Sequence, residues 1–108
     1  MAKRRSLKII ILPTAQQDLR EIVSFIAKDS PAYAKREKLL IIEIIDKLGY
    51  FPELGTIFNY KNVNARKFPF RSYLIIYRLI DDSLMEILSI HHHARSFSNN
   101  PALDTDDE

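Results

Sequence analysis

His91, His92 and His93 are the only imidazoles in the chain, and imidazole is the side chain whose unperturbed proton equilibrium lies near neutrality. One of them can act as general acid or base once a scissile group comes within hydrogen-bond reach. Upstream, Lys67 and Arg71 are natural phosphate contacts. His92, His93, Lys67 and Arg71 are the candidates for catalysis, although spacing identifies no second partner for the imidazoles. On a strand, neighbouring side chains alternate faces, so His91 and His93 would share one side and His92 would take the other. Two imidazoles fall short of the three or four ligands a zinc site needs, and the chain has no cysteine to add. No metal and no cofactor is expected. Ser, Asp and Glu form no triad or paired-carboxylate pattern. The five tyrosines do not interleave with basic residues as a base-stacking platform would, and Tyr73 and Tyr77 read as core.

The element holding these residues is a β-hairpin. Tyr73–Ile80 and Leu84–His91 are β-rich runs on either side of Asp81-Asp82-Ser83. A three-residue loop there sets Ile80 opposite Leu84, Arg78 opposite Glu86 and Tyr73 opposite His91. The Arg78–Glu86 pair contributes about 0.2–1 kcal/mol and opposes a one-residue slip, which would exchange the two faces. One face then carries Tyr73, Ile75, Tyr77, Leu79, Met85, Ile87 and Ser89. The other carries Leu74, Ile76, Arg78, Ile80, Leu84, Glu86, Leu88 and Ile90. Helices can cover only one of them fully. The apolar residues left over, Leu74, Ile76, Leu84, Leu88 and Ile90, point to a groove for a partner protein. Arg66, Lys67 and Arg71 before the hairpin and Arg95 after it give the sheet a cationic end, suited to a polyanion or an acidic protein segment.

The rest of the chain supplies the support. Ser6 to Leu12 reads as a strand stopped by Pro13. Thr14 and Gln17 make a capping-box pattern, and Ala15, Leu19, Ile22, Val23 and Ile26 continue at helical spacing to about Lys28. Ser30-Pro31 starts a second helix, which runs to about Leu48, with Gly49 as its stop. Tyr50 to Asn64, with Pro52, Gly55, Asn59 and Asn62, reads mostly as loop, and the sheet resumes near Ala65. The order is β-α-α-β-β-β. This is an α+β domain, an N-terminal helical hairpin packed on a small, twisted, mainly antiparallel sheet.

Composition bounds the class. A chain of 108 residues with 46% hydrophobic and 28% charged residues is one soluble globular domain. Residues 1–97 form it, and 98–108 read as a flexible acidic tail with too little apolar area to offset ordering. Without cysteine there is neither disulfide nor thiolate chemistry, which fits a reducing cytosol. The apolar run Ile9–Leu12 is too short for a signal-peptide core or a membrane span. A cytoplasmic protein without a membrane partner is expected. The net charge of +2 understates its basicity, because Asp104, Asp106, Asp107 and Glu108 close the chain.

From Ile9 to Phe97 the chain resembles the ParE/RelE superfamily of type II toxins. The resemblance rests on an ordered set of short motifs. Pro13, Ala15, Asp18, Leu19 and Ile22 are similar to the opening strand and helix, and Pro52-x-x-Gly55 follows. Then come Phe70-Arg71-Ser72-Tyr73-Leu74-Ile75-Ile76-Tyr77-Arg78 and Ile87-Leu88-x-Ile90-x-His92-x-Ala94-Arg95. It implies a helical hairpin on a twisted antiparallel sheet and a cognate antitoxin as partner. RelE-like members cleave messenger RNA on the ribosome with Lys, Arg and Tyr side chains. ParE-like members are described as poisons of DNA gyrase. In the ribonucleases the Tyr matching Tyr73 is followed by Arg, where this chain has Leu74. Their late Arg aligns near His93, and no Tyr follows it, although Lys67 matches one of their strand lysines. Losing a cation aimed at developing phosphorane charge costs orders of magnitude in rate. The resemblance therefore implies a ParE-like toxin that binds gyrase without bond chemistry of its own. The alternatives are a ribosome-dependent mRNA endoribonuclease, since His93 and Phe97 reproduce a late spacing of some ribonuclease relatives, or an antitoxin-binding module without toxicity.

Overall fold

Isoleucine-rich and β-branched runs form the strands and the two amphipathic runs form the helices, as local propensity and periodicity dictate. In the computed structural model, residues 6–92 are described. They comprise β1 (Lys8–Ile11), α1 (Pro13–Ala27), α2 (Pro31–Tyr50), a 3-10 turn at Pro52–Leu54, β2 (Thr56–Tyr60), β3 (Val63–Phe70), β4 (Tyr73–Leu79) and β5 (Leu84–His92). The expected positions of His93, Arg95 and the 98–108 tail lie outside the described residues. The strands make one sheet in the order β1-β5-β4-β3-β2. β1 runs parallel to β5 and the other pairs are antiparallel.

Both helices lie on one face of this sheet. Ala15, Leu19 and Ile22 of α1 and Ile41, Ile45 and Leu48 of α2 close over Tyr73, Ile75, Tyr77, Met85, Ile87 and Ile90. Tyr73 and Tyr77 are core residues, as expected. Ser30 caps α2 by accepting a hydrogen bond from the Tyr33 amide at 3.1 Å, with Pro31 in the first turn.

Three local readings change. The segment taken as loop contains β2, because Lys61 and Asn62 both adopt left-handed φ, 51° and 66°, and close a two-residue hairpin between Tyr60 and Val63. The Asn59 side chain accepts from the Asn62 amide at 3.1 Å and fixes that turn. Gly49 does not stop α2. The helix runs on to Tyr50; a Cβ at Gly49 would stand 2.7 Å from Ser6 Oγ and 2.8 Å from Ile9 Cδ1, and its carbonyl accepts from the Leu7 amide at 3.0 Å. Its role is close approach of helix to strand. Finally, α1 begins with Pro13 after Leu12, without a side-chain cap. The Thr14 hydroxyl instead leaves the helix to reach β5.

Candidate functional site

The hairpin register holds as far as Tyr77. Arg78 pairs with Glu86 across the strands, and their side chains meet at 3.0 Å. Beyond that point Tyr77 faces Ile87 but Ile76 faces Ser89, so Leu88 is an extra residue in a β-bulge. Helix α1 grips this bulge. Thr14 Oγ1 donates to the Leu88 carbonyl at 2.8 Å. Asp18 Oδ2, one turn on, accepts from Ser89 Oγ at 2.8 Å and from the Ile90 amide at 2.9 Å.

The bulge moves every side chain after it. Tyr73 lies across from His92 and not His91, and Leu74 lies across from His91. Ile90 turns to the helix side and joins the core, so it is not part of an outer groove. Leu74, Ile76 and Leu88 do remain together on the outer face, with Ala65, Phe58 and Tyr60. Leu84 stands at the start of β5, opposite Lys8 of β1. The outer cluster is more closed than expected: Ala65, Leu74 and Ile76 are buried. The large apolar side chains on the helices are more open, Leu39 being 54% and Ile42 41% exposed. Separately, Ile11, Leu19 and Val23 line a cavity of about 440 Å³, with Arg20 and Lys38 at its border.

The expected cationic end is not one site. Arg66 lies on the helix side, where its Nη1 donates to the Gly55 carbonyl at 2.8 Å. Lys67 points to the opposite face, with Nζ 4.9 Å from the centre of the Phe58 ring. Arg71 sits in the β3–β4 turn and reaches α2. Of the candidate catalytic set, the fold brings Arg71 and His92 to one cavity and leaves Lys67 on the other side of the sheet.

That cavity, about 260 Å³, opens where the end of α1, the start of α2, the β3–β4 turn and the end of β5 meet. Its floor is Glu37, a carboxylate that is only 2% exposed. The Tyr73 hydroxyl donates to Glu37 Oε1 at 2.8 Å, and Arg71 Nη2 donates to Oε2 at 2.9 Å. Burial first, then the Glu37 hydrogen bond and its negative charge, push the Tyr73 phenol upward. It therefore stays a neutral donor near neutral pH. A hydrogen bond with Tyr33, and then the charge of Glu37, raise Arg71 further above its already high value. The His92 ring stacks at a tilt 5.0 Å from Tyr73, and its edge contact with Phe25 is 5.8 Å.

Pro52-x-x-Gly55 also gains a physical meaning. The Tyr77 hydroxyl donates to the Pro52 carbonyl at 2.6 Å and accepts from the Gly55 amide at 2.9 Å. A Cβ on Gly55 would stand 2.6 Å from that oxygen. Among the described residues no three His, Asp or Glu side chains converge as a metal site would require, and no helix is long and apolar enough to cross a membrane.

Sequence reasoning passed over Glu37, Tyr33 and Phe25, and gave Asp18 no role beyond its motif. A signal existed for Glu37: it lies between Ala34 and Ile41 at helical spacing, so a charge occupies the buried stripe of α2. Asp18 sits beside Leu19 on the corresponding stripe of α1.

The arrangement has relatives of known structure. One is the RelBE2 toxin–antitoxin complex of Mycobacterium tuberculosis, with a TM-score of 0.63 and 21% identity over 82% of this chain and 99% of that one. Another is the chromosomal ParDE toxin–antitoxin system of P. aeruginosa, with a TM-score of 0.67 and 17% identity over 81% and 96%. At these identities the likeness establishes the fold, a helical hairpin on a mixed five-stranded sheet. Among curated proteins none matches the chain. Residues 9–97 match the family described as the ParE toxin of the parDE type II toxin–antitoxin system, and the chain belongs to that family.

Proposed function

We propose that this toxin acts by binding and not by cutting, that DNA gyrase is what it binds, and that a cognate antitoxin holds it inactive in the cytoplasm. The observation that carries this reading is the make-up of the outer sheet face. Leu74 stands where the ribonuclease branch has Arg, inside an apolar cluster with Ala65 and Ile76. Lys67 and His92 point to opposite sides of the sheet. Phosphodiester cleavage needs its acid, its base and its charge-stabilising cation within reach of one phosphate, and Lys67 faces away from the cavity that Arg71 and His92 share.

The test compares two targets. Purified toxin is expected to inhibit supercoiling, to trap cleaved DNA on gyrase and to leave ribosome-bound messenger RNA intact. Ribosome-dependent cleavage that disappears in a His93→Ala variant would replace this reading with the endoribonuclease one.

Both solved relatives are toxin–antitoxin systems, which supports a protein partner of the same kind here. Its place is the helical hairpin. Leu39 and Ile42 leave more apolar surface open to a partner than Leu74 and Ile76 do, and Arg20 and Lys38 beside the α1–α2 groove favour an amphipathic segment flanked by acidic residues.

A further inference from the structure

Two local costs converge on the cavity floored by Glu37, and binding through the outer surfaces uses neither. The first is a carboxylate taken almost wholly out of water, with a side-chain exposure of 3%. An apolar side chain there would stabilise the core as well or better. The second is Arg71 in the β3–β4 turn, whose φ of 58° lies in the region that glycine enters freely and L-residues enter at a cost. Glu37 orients the side chain of this residue: the carboxylate takes one edge of the guanidinium at 2.9 Å.

What Glu37 leaves open is the remaining donor edge of Arg71, whose side chain is 47% exposed. A guanidinium oriented by one carboxylate is prepared to take an external oxyanion through its other N–H groups. Tyr33 lines the same cavity beside it. A second guanidinium, Arg36, lies 5.8 Å from the Tyr33 ring centre on the same helix. Phe25 and Tyr33, each 41% exposed, line the cavity with Tyr73 and His92. Asp29 at the rim opposes any additional negative charge. At about 260 Å³, the space is just below the usual range of about 300–1,000 Å³ for small-molecule sites.

We propose that this cavity is a binding site for a small planar-ring compound carrying one phosphate, of the nucleoside monophosphate class. Its phosphate pairs with Arg71 and its ring lies against Phe25 and Tyr33. Asp29 disfavours di- and triphosphates. Glu37 is a positioning residue that acts through Arg71. The site is independent of the toxin's target, so binding can be measured whatever the target proves to be.

The experiment is a titration of the full chain, followed by amide and side-chain NMR shifts, with AMP, UMP, ATP, adenosine and inorganic phosphate as separate probes. Saturable shifts at Tyr33, Arg71 and His92 are expected for AMP or UMP. Adenosine, inorganic phosphate and ATP should each bind at least tenfold more weakly. Arg71→Gln should weaken AMP binding at least tenfold while leaving adenosine unchanged, and Arg71→Gly, which suits the turn's φ, should do the same in a fully folded chain. Glu37→Gln should weaken AMP less than Arg71→Gln does, with no effect on adenosine. Absence of saturable binding by any probe, or AMP binding unaltered in both Arg71 variants, would overturn the proposal. So would ATP binding more tightly than AMP.

Discussion

Asp18 and Ser89 are 71 residues apart in sequence and joined by a 2.8 Å hydrogen bond, and this contact decides which way the end of β5 faces. The same carboxylate oxygen accepts from the next amide, that of Ile90, at 2.9 Å. With Thr14 on the Leu88 carbonyl, the first turns of α1 satisfy the backbone groups that a bulge takes out of the ladder. Ile90 is thereby packed in the core and His92 is set against Tyr73.

Asp18→Ala should therefore destabilise the fold by about 1–3 kcal/mol, because it strands a hydroxyl and an amide at once. Asp18→Asn keeps an acceptor and should cost less. Urea unfolding measures both effects. Hydrogen exchange at the Ile90 amide should accelerate in the alanine variant more than exchange at Tyr77, which lies before the bulge. Equal acceleration at both positions would mean that Asp18 stabilises the sheet in general and not the bulge.

Helix propensity and packing pull in opposite directions at Gly49. In an open helix, Gly→Ala gains about 1 kcal/mol. Here the new Cβ meets Ser6 Oγ at 2.7 Å and Ile9 Cδ1 at 2.8 Å, and overpacking typically costs about 1–3 kcal/mol. Gly49→Ala should be net destabilising. Adding Ser6→Ala and Ile9→Val removes both obstructing atoms, so the triple variant should recover at least part of the loss relative to the Ser6/Ile9 double. The comparison of thermal midpoints across these variants reads the coupling directly.

The two buried phenols make stability sensitive to alkali. Tyr73 and Tyr77 are both raised above the ordinary value of 10.0, chiefly by burial. The folded chain then holds these protons more tightly than the unfolded one, so stability falls as pH rises above about 10. Their contribution is fully present below that value. Tyr73→Phe should flatten the decline in urea midpoint between about pH 9 and about pH 11. Phenolate absorbance should show Tyr73 and Tyr77 ionising later in the native protein than in urea. A decline unchanged by Tyr73→Phe would assign it to other groups.

Which features were legible follows from where their information lies. The hairpin could be registered as far as Tyr77 because Arg78 and Glu86 pin it locally. Its bulge could not, since the run Ile87-Leu88-Ser89-Ile90 does not mark which residue is extra. That choice is made by Thr14 and Asp18, in a helix 74 residues from Leu88 in the case of Thr14. β2 was missed because Lys61-Asn62 lacks the Asn-Gly or Asp-Gly signal of a tight hairpin, although both residues adopt its geometry. The pairing of Arg71 with Glu37 spans 34 residues and depends on how α2 lies over the β3–β4 turn, so neither residue's role could be read locally. The face assignment of Lys67 depends on the β3–β4 register, which the sequence reading left open.

The last prediction separates the two surfaces on which an antitoxin can lie. Leu39 and Ile42 are exposed on α2, so Leu39→Asp with Ile42→Asp should leave stability within about 0.5 kcal/mol per site. If the helical hairpin is the docking surface, the same double variant should weaken the complex at least tenfold, as loss of a central apolar anchor does. Leu88→Asp, on the outer sheet face with Leu74 and Ile76, should then change affinity little and show its effect in stability. The co-purified antitoxin, titrated by calorimetry against each folded variant, gives the answer. Affinity lost only in Leu88→Asp would move the antitoxin to the outer face and leave the α1–α2 groove without that partner.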